Sequence, residues 1–166
     1  MKPAASPLSI LDFAITSFEF KFLSPADGAQ TDVKKLFSDY NIDIDFGIHS
    51  NDIIHVYMRA RINWDEKDKQ PGYYIDAEAT CIFELNKEIE ISREARNDIE
   101  GFSTMYIALN TLRGFISQIT ANAPWGRYIL PSIDLNDLIE KKKQKASKIT
   151  PPNKEKVKKK TSDKKK

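Results

Sequence analysis

Apolar and polar residues alternate along four segments in the first half of the chain, and this period of two predicts β-strands. The segments cover residues 10–22, 42–48, 54–64 and 73–85. In the first segment the alternation changes phase at Thr16 and Ser17, which predicts a β-bulge. Short polar linkers join the last three segments, so we expect an antiparallel meander with one apolar and one solvated face.

Charged residues indicate how the third and fourth strands pair. If Trp64 lies opposite Tyr73, the apolar side chains of both strands share one face of the sheet. The same register places Arg61 opposite Asp76 on the solvated face. Because opposite charges at directly paired positions stabilise a sheet, we predict this register.

After a charged crossover at residues 86–97, the apolar spacing changes to three and four, which predicts a long amphipathic helix. Its apolar stripe consists of Phe102, Met105, Leu109, Leu112, Ile116 and Ile119. Further apolar residues widen this stripe beyond one face, and a helix with two apolar sides indicates contact with a second copy. A turn at Pro124 leads to a second, shorter helix, for which we predict Asp134 as the N-cap.

The formal net charge of +2 conceals two oppositely charged parts. Residues 140–166 hold 13 lysines and three acidic residues, a net charge of +10, and the rest of the chain has a net charge of −8. The lysine-rich end contains no aromatic residue, so we expect it to be disordered. We therefore predict an extension at residues 1–9, one α+β domain at residues 10–145 and a disordered tail at residues 146–166.

The sequence gives no support for catalysis or for a bound cofactor. It contains no nucleophile elbow, phosphate-binding glycine loop or dinucleotide fingerprint, so we do not expect an enzyme. With Ile48 placed opposite Ile54, His49 and His55 are not directly paired and no third ligand joins them, so we expect no metal site. Cys81 lies on the apolar side of its strand and is expected to be a buried apolar residue.

No apolar run is long enough to cross a membrane, and the first residues do not form a signal peptide. We therefore expect a cytoplasmic protein that does not insert into membranes. The lysine-rich tail admits two interpretations, a solubilising end or an arm that binds nucleic acid or another acidic surface. Because the tail lacks aromatic residues, base stacking from it is unsupported.

An excess of apolar and aromatic residues surrounds the second helix. One interpretation is core packing and contact between copies. The other is a groove between helix and sheet that accepts extended apolar segments of other chains, because aromatic side chains offer a large, adaptable contact area. The candidate groove residues are Phe102, Trp125, Tyr128, Ile133, Leu135 and Leu138.

The residues after the long helix carry a resemblance to a known family. The sequence Leu-Pro-Ser-Ile-Asp-Leu at residues 130–135, followed by Leu138 and Ile139, resembles the approach to the last helix in the export chaperone SecB and its SecB-like relatives. The order of four strands, a crossover, a long helix and a short helix is also similar. The resemblance implies a four-stranded antiparallel sheet followed by these two helices, packed as a homotetramer that is a dimer of dimers.

The same resemblance implies a function. Family members hold unfolded precursor polypeptides without ATP and deliver them to the translocation motor SecA, and relatives act as chaperones of antitoxins. The expected interface between copies comprises Met105, Leu109, Leu112 and Ile116. The expected acidic docking face for the motor comprises Glu19, Asp76 and Glu78. A chaperone dedicated to one client, such as an antitoxin, and a module that binds nucleic acid through the tail are the alternatives.

Overall fold

The computed structural model describes residues 6–25 and 32–149. Its strands are β1 (Leu8–Leu23), β2 (Ile42–Ser50), β3 (Ile53–Ile62) and β4 (Gly72–Leu85). Its helices are α1 (Val33–Ser38), α2 (Arg93–Asp98), α3 (Thr104–Thr120) and α4 (Leu135–Ile149), and a π turn (Ile99–Ser103) joins α2 to α3. The chain divides into two compact units, residues 1–132 and residues 133–166.

The four strands form one antiparallel sheet in the order β1-β4-β3-β2. The predicted α+β fold class is therefore confirmed. The strand order places β3 and β4 in the centre and leaves β1 and β2 as the two edges. The inward face of the sheet carries α3, which packs on the central strands.

The register of β3 and β4 is the predicted one, since Ile62 lies opposite Ile75 and Arg61 lies opposite Asp76. The predicted bulge in β1 is also confirmed, because the pairing with β4 skips Thr16. A second irregularity, at Leu11, was not predicted. Each extra residue shifts the alternation of β1, so apolar side chains on both sides of the bulge reach the same face.

The predicted register of β2 and β3 is wrong by two residues. Ile48 lies opposite Val56 rather than Ile54, because both strands continue into the predicted linker and leave a tight turn. A slip of two residues keeps every side chain on its predicted face, so the apolar pattern alone does not detect it. One consequence is that His49 and His55 lie directly opposite each other.

Trp64 does not face inward as its alternation predicts. Asn63, directly after β3, adopts a positive φ of 54° and ends the alternation. Its buried side-chain amide donates hydrogen bonds to the carbonyl oxygens of Gln70 and Tyr73 and so holds this conformation. The Trp64 ring instead lies over the guanidinium of Arg61, 4.6 Å from the ring centroid.

Helical structure begins earlier than predicted. Residues 93–98, expected to be an irregular crossover, form α2, because the Ser92 hydroxyl accepts a hydrogen bond from the Ala95 amide as an N-cap. An ion pair between Arg96 and Glu100, one turn apart, adds support. Phe102 and Ile119, the two ends of the predicted stripe, are exposed.

In the second unit, the predicted cap of α4 is confirmed. The Asp134 carboxylate accepts hydrogen bonds from the backbone amides of Asn136 and Asp137. The helix continues to Ile149, so residues 146–149, which the prediction assigns to the tail, are helical, and the predicted domain boundaries stay a prediction. Residues 150–166 of the predicted tail and residues 1–5 of the predicted extension lie outside the described residues.

Among the helices of the described residues, none has the length and apolarity that a membrane crossing requires.

The contact between Gly72 and Tyr40 leads to a prediction about stability. Gly72 has a φ of +113°, and a Cβ at this position would lie 2.0 Å from Tyr40 Oη, which hydrogen bonds to Pro71 and Tyr73 hold in place. We expect Gly72→Ala to lower the free energy of unfolding by about 2 kcal/mol or more. Thermal unfolding would then shift down by roughly 4–8 °C.

Gly47→Ala is the matched control, because a Cβ at Gly47 in β2 meets no atom within 4 Å. It should change the free energy of unfolding by less than about 0.5 kcal/mol. Equal destabilisation by the two substitutions would contradict the proposed overlap with Tyr40.

Candidate functional site

Helix α3, with the short α1 at one end, covers only part of the inward face of the sheet. Four strands spaced about 4.8 Å apart form a sheet about 19 Å wide, and a helix is about 10 Å in diameter. The inward side chains of β3 and β4 are accordingly almost completely buried. The inward side chains of the edge strands are covered unevenly: Ile44 of β2 is 3% exposed, whereas Ile10 of β1 is 48% exposed and Ile48 of β2 is 37% exposed.

Aromatic rings fill one end of the inward face. The centroid of Phe37 lies 5.6, 5.4 and 5.3 Å from those of Tyr40, Tyr73 and Tyr128, respectively. At the margin, the ring of Trp125 meets that of Phe22 edge-on at 5.8 Å. We call this group the aromatic cluster; it comprises Phe20, Phe22, Phe37, Tyr40, Tyr73, Trp125 and Tyr128.

Hydrogen bonds attach the turn after α3 to this cluster. The hydroxyl of Tyr73 donates to the carbonyl oxygen of Gly126 at 2.9 Å and accepts from the backbone amide of Trp125 at 2.8 Å. The backbone amide of Tyr128 donates to the hydroxyl of Thr120 at 2.9 Å. The half-buried indole of Trp125 is therefore held in a fixed position at the edge of the cluster.

The buried phenols of the cluster stay protonated at neutral pH. Burial raises the pKa of Tyr40 to about 12, and burial also raises the pKa values of Tyr73 and Tyr128. The hydroxyl of Tyr128 is buried without a hydrogen-bond partner among the described residues. The cluster is thus an uncharged packing element that positions the turn, and it has no acid–base role.

A cleft lies at the opposite end of the inward face. It has a volume of about 360 Å³ and is bounded by the β2–β3 turn, the end of β4, the loop at residues 86–92 and α2. Ile54 and Leu85 form a buried apolar floor, and Ile89 and Ile91 are half-buried around it. Arg96, on the rim, connects the cleft to the π turn through its ion pair with Glu100.

Exposed apolar side chains lie at the π turn and in the first turn of α3. Phe102 is 41% exposed and Tyr106, one helical turn later, is 53% exposed. The Glu100 carboxylate accepts a hydrogen bond from the hydroxyl of Ser50 at 3.0 Å, which attaches the turn to the end of β2. Ile48 is exposed on the same face of β2 as Ser50. We call Ile48, Phe102 and Tyr106 the π-turn patch.

The structure does not bring the six predicted groove residues together in one place. Phe102 lies before α3 and Trp125 and Tyr128 lie after it, and a helix of 17 residues is about 25 Å long. Tyr128 is 1% exposed and is therefore core. The other three belong to the second unit, where Leu135 is buried and Ile133 and Leu138 are half-buried. Only Phe102 and Trp125 of the first unit remain accessible.

The four residues predicted for the interface between copies are also placed in the core. They are Met105, Leu109, Leu112 and Ile116. All four are at most 2% exposed within the single chain, because this side of α3 faces β3 and β4. Their side chains are therefore not available to a second copy, and the accessible apolar groups of the helix are those on its other side and at its ends.

The three predicted acidic docking residues do lie together on the outward face, where Glu19 is directly opposite Asp76. Each one is paired within the chain. Arg59 binds Asp76 at 2.6 Å and Glu78 at 3.3 Å. Lys21 donates a hydrogen bond to Glu19 that lowers the pKa of this carboxyl. The face therefore presents paired charges, of which the exposed pairs of Glu19 and Glu78 are individually weak and the bidentate Arg59–Asp76 pair is partly buried.

Two members of the π-turn patch were not among the predicted site residues. The alternation places Ile48 on the inward face, and the helical pattern places Tyr106 on a broad apolar side. Neither pattern shows that β2 is an edge strand beyond the reach of α3. Strand order is the missing information, and it depends on long-range pairing rather than on local spacing.

The described residues contain no group of three or more His, Cys, Asp or Glu side chains placed to hold a metal ion. Cys81 is buried under the helix as expected, and burial raises the pKa of its thiol to about 11. A thiol in that state is a poor nucleophile at neutral pH. The absence of enzymatic activity stays a prediction.

Comparison with known proteins identifies the fold. No protein-family model matches the sequence, and no curated protein matches it. The structure is similar to the SecB-like chaperone Rv1957 of Mycobacterium tuberculosis, solved in complex with a ChAD peptide from the antitoxin HigA1 (Rv1956). The TM-score is 0.52 and the identity 11%, over 77% of this chain and 91% of that chain. The fold is SecB-like.

A protein of unknown function from Streptococcus agalactiae is also similar, with a TM-score of 0.43 and 8% identity over 78% of this chain and 100% of that chain.

The buried phenols predict alkaline sensitivity. Because burial raises the folded-state pKa of Tyr40 from 10.0 to about 12, the folded chain retains a proton that the unfolded chain releases above pH 10. The contribution to stability is therefore complete below about pH 10 and is lost as the pH rises towards about 12. Denaturant unfolding between pH 8 and 12 should show this decline, and Tyr40→Phe should make it shallower.

Tyr57→Phe, at a position 52% exposed on the outward face, is the control and should leave the decline unchanged. Identical pH profiles for the wild type and Tyr40→Phe would rule out Tyr40 as a cause.

Proposed function

We propose that this protein is an ATP-independent chaperone that holds unfolded polypeptides. The observation that carries the proposal is the SecB-like fold with apolar side chains left accessible along the edge strands and at the π-turn patch. Exposed apolar groups of this kind bind apolar segments of other chains. The proposed mechanism uses no energy from ATP. Release of the client depends on its affinity for the chaperone and on the partner that receives it.

The spacing of the accessible groups suits an extended client. Trp125 lies beyond one end of α3 and the π-turn patch lies at the other, about 25 Å away by the length of the helix. An extended chain covers that distance with about eight residues. A client can therefore contact both regions with one short segment, and its alternate side chains can face the protein.

We also propose a homo-oligomer, a dimer of dimers, in the cytoplasm. The edge strand β1 is long, and its inward side chains are accessible at Ile10 and Phe22 and half-buried between them. A second copy that covers this margin would bury these groups and leave the π-turn patch free for clients. The proposed interface therefore moves from the buried stripe of α3 to the margin of β1.

We propose protein export as the destination of the client. In this function, the holdase keeps precursors export-competent and the motor SecA docks on the outward face. Docking would then have to compete with the ion pairs that Arg59 and Lys21 make with Asp76, Glu78 and Glu19. The pairs of Lys21 with Glu19 and of Arg59 with Glu78 are solvent-exposed, whereas the bidentate pair of Arg59 with Asp76 is partly buried. A basic partner would therefore compete mainly for Glu19 and Glu78, and this competition should be sensitive to salt.

A second candidate function is a chaperone dedicated to one client, such as an antitoxin. The specific observation in its favour is that the similar chaperone from Mycobacterium tuberculosis was solved with an antitoxin peptide. The breadth of clients distinguishes the two functions. Polypeptides that co-purify with the protein from its host would be numerous and unrelated for a general holdase, and would be dominated by one protein for a dedicated chaperone.

Holding activity can be tested directly. We expect the purified protein to slow the aggregation of an unrelated chemically unfolded protein without nucleotide, as followed by light scattering. Trp125→Ser should weaken holding about three- to tenfold, since an accessible aromatic contact is lost. Tyr57→Ser, on the outward face, should have no effect on holding.

The oligomeric state of each variant, measured by light scattering after size exclusion, shows whether assembly has changed. A wild-type protein that suppresses no aggregation at any molar ratio would refute the proposed function.

The lysine-rich end is expected to be dispensable for holding. A chain that ends at Ile149 keeps all of α4 and loses most of the lysine-rich end. We predict unchanged holding, together with weaker binding to an acidic probe such as a single-stranded oligonucleotide. Since that binding would be electrostatic, it should fall steeply between about 50 and 200 mM salt. Loss of holding at both salt concentrations would assign client binding to the tail.

A further inference from the structure

We propose that the π turn is a positioning device that presents Phe102 to the client, and that Thr104 and Glu100 are the residues that maintain it. The inference rests on the proposed function. It adds Phe102 as a specific client contact and the π turn as the reason why Phe102 is exposed. A π turn inside a helix is rare and occurs frequently at functional sites.

The first observation is the rotation that the turn introduces. A spacing of three or four residues would place Phe102 on the stripe that continues through Met105 and Leu109, both of which are buried. One residue inserted into a helix turns the segment before it by about 100° relative to the segment after it. Phe102 lies within this turn, and its side chain is accessible rather than buried with that stripe.

The second observation is how the turn is stabilised. The backbone amide of Thr104 bonds to the carbonyl oxygen of Ile99, five residues back, so the carbonyl of Glu100 loses its usual amide donor. The hydroxyl of Thr104 donates to that carbonyl at 2.6 Å. Thr104 is 0% exposed and the bond is partly buried, so removal of the hydroxyl takes away a donor that water only partly replaces. A threonine at this position therefore supplies a donor to the carbonyl whose usual amide donor the π turn redirects.

The third observation is the attachment of the turn to the sheet. The Glu100 carboxylate accepts hydrogen bonds from Arg96 Nε at 2.7 Å and from Ser50 Oγ at 3.0 Å. Ser50 ends β2, and Ile48, two residues earlier, is on the same face about 7 Å away along the strand. The backbone of Glu100 is thus held by Thr104, and its side chain is held by β2 and α2.

An extended apolar polypeptide is the occupant that this geometry favours. The π turn is linked to the cleft of about 360 Å³, whose apolar floor is Ile54 and Leu85, because the rim residue Arg96 binds Glu100 of the turn. An extended chain can place one side chain in a concave cleft of this size and a neighbouring one against Phe102. A second copy that packs flat on the patch would leave the cleft unfilled.

The test compares two threonines that make the same kind of bond. Thr104 and Thr111 both donate to the carbonyl oxygen four residues back, but Thr111 does so within the regular part of α3. We expect Thr104→Val to weaken the binding of a fluorescently labelled unfolded client about three- to tenfold. Thr111→Val should leave binding unchanged, and Thr104→Ser, which keeps the hydroxyl, should restore it. Equal binding by Thr104→Val and Thr111→Val would overturn the role of Thr104.

Phe102→Ser gives an independent measurement if Thr104→Val fails to fold. It should lower client affinity about tenfold, and Tyr57→Ser should not. A photoreactive amino acid at position 102 should crosslink to the client in the wild-type background and less in the Thr104→Val background.

The outcomes separate the two proposals. A wild type that holds no client refutes the proposed function itself. A wild type that holds clients, together with a Phe102→Ser variant that holds them equally well, overturns the inference about the π turn. A Phe102→Ser variant that dissociates into smaller species while keeping client affinity would assign Phe102 to contact between copies, and this result would also overturn the inference.

Discussion

The mismatch in width between one helix and a four-stranded sheet determines most of what this molecule presents to its surroundings. Helix α3 is wide enough to bury the inward side chains of β3 and β4, and these side chains form the core together with the buried side of the helix. The apolar margins on β1 and β2 are a direct consequence. A stable soluble monomer would cover such margins with further helices, whereas a protein that binds other chains can leave them accessible.

The two ends of the inward face differ in how they are built. At one end, the aromatic cluster and the hydrogen bonds of Tyr73 fix the turn after α3, so the backbone of Trp125 is held in place. At the other end, the polar contacts of Glu100 hold the π turn against the end of β2, and its ion pair with Arg96 links the turn to the cleft. Each end therefore holds accessible apolar side chains on a fixed backbone.

The outward face of the sheet carries paired charges instead of apolar side chains. Its charges lie in cross-strand pairs, with Arg59 between Asp76 and Glu78 and with Arg61 bound to Asp43 at 2.6 Å. These pairs favour the observed strand pairing and keep this side of the sheet hydrated. The two faces of the sheet therefore present different side chains: apolar groups are accessible on the inward face, and paired charges lie on the outward face.

The sequence alone determined the faces of the strands, the bulge at Thr16, the register of β3 with β4 and the cap at Asp134, because each depends on local spacing or on one pair of charges. It did not determine the register of β2, since a slip of two residues preserves every face. Strand order, the burial of Met105 and Leu109 within one chain and the π turn before Thr104 were decided only by tertiary structure. Each of these depends on which distant elements meet, and that is settled by packing and hydrogen bonding across the whole sheet rather than by the period of the sequence.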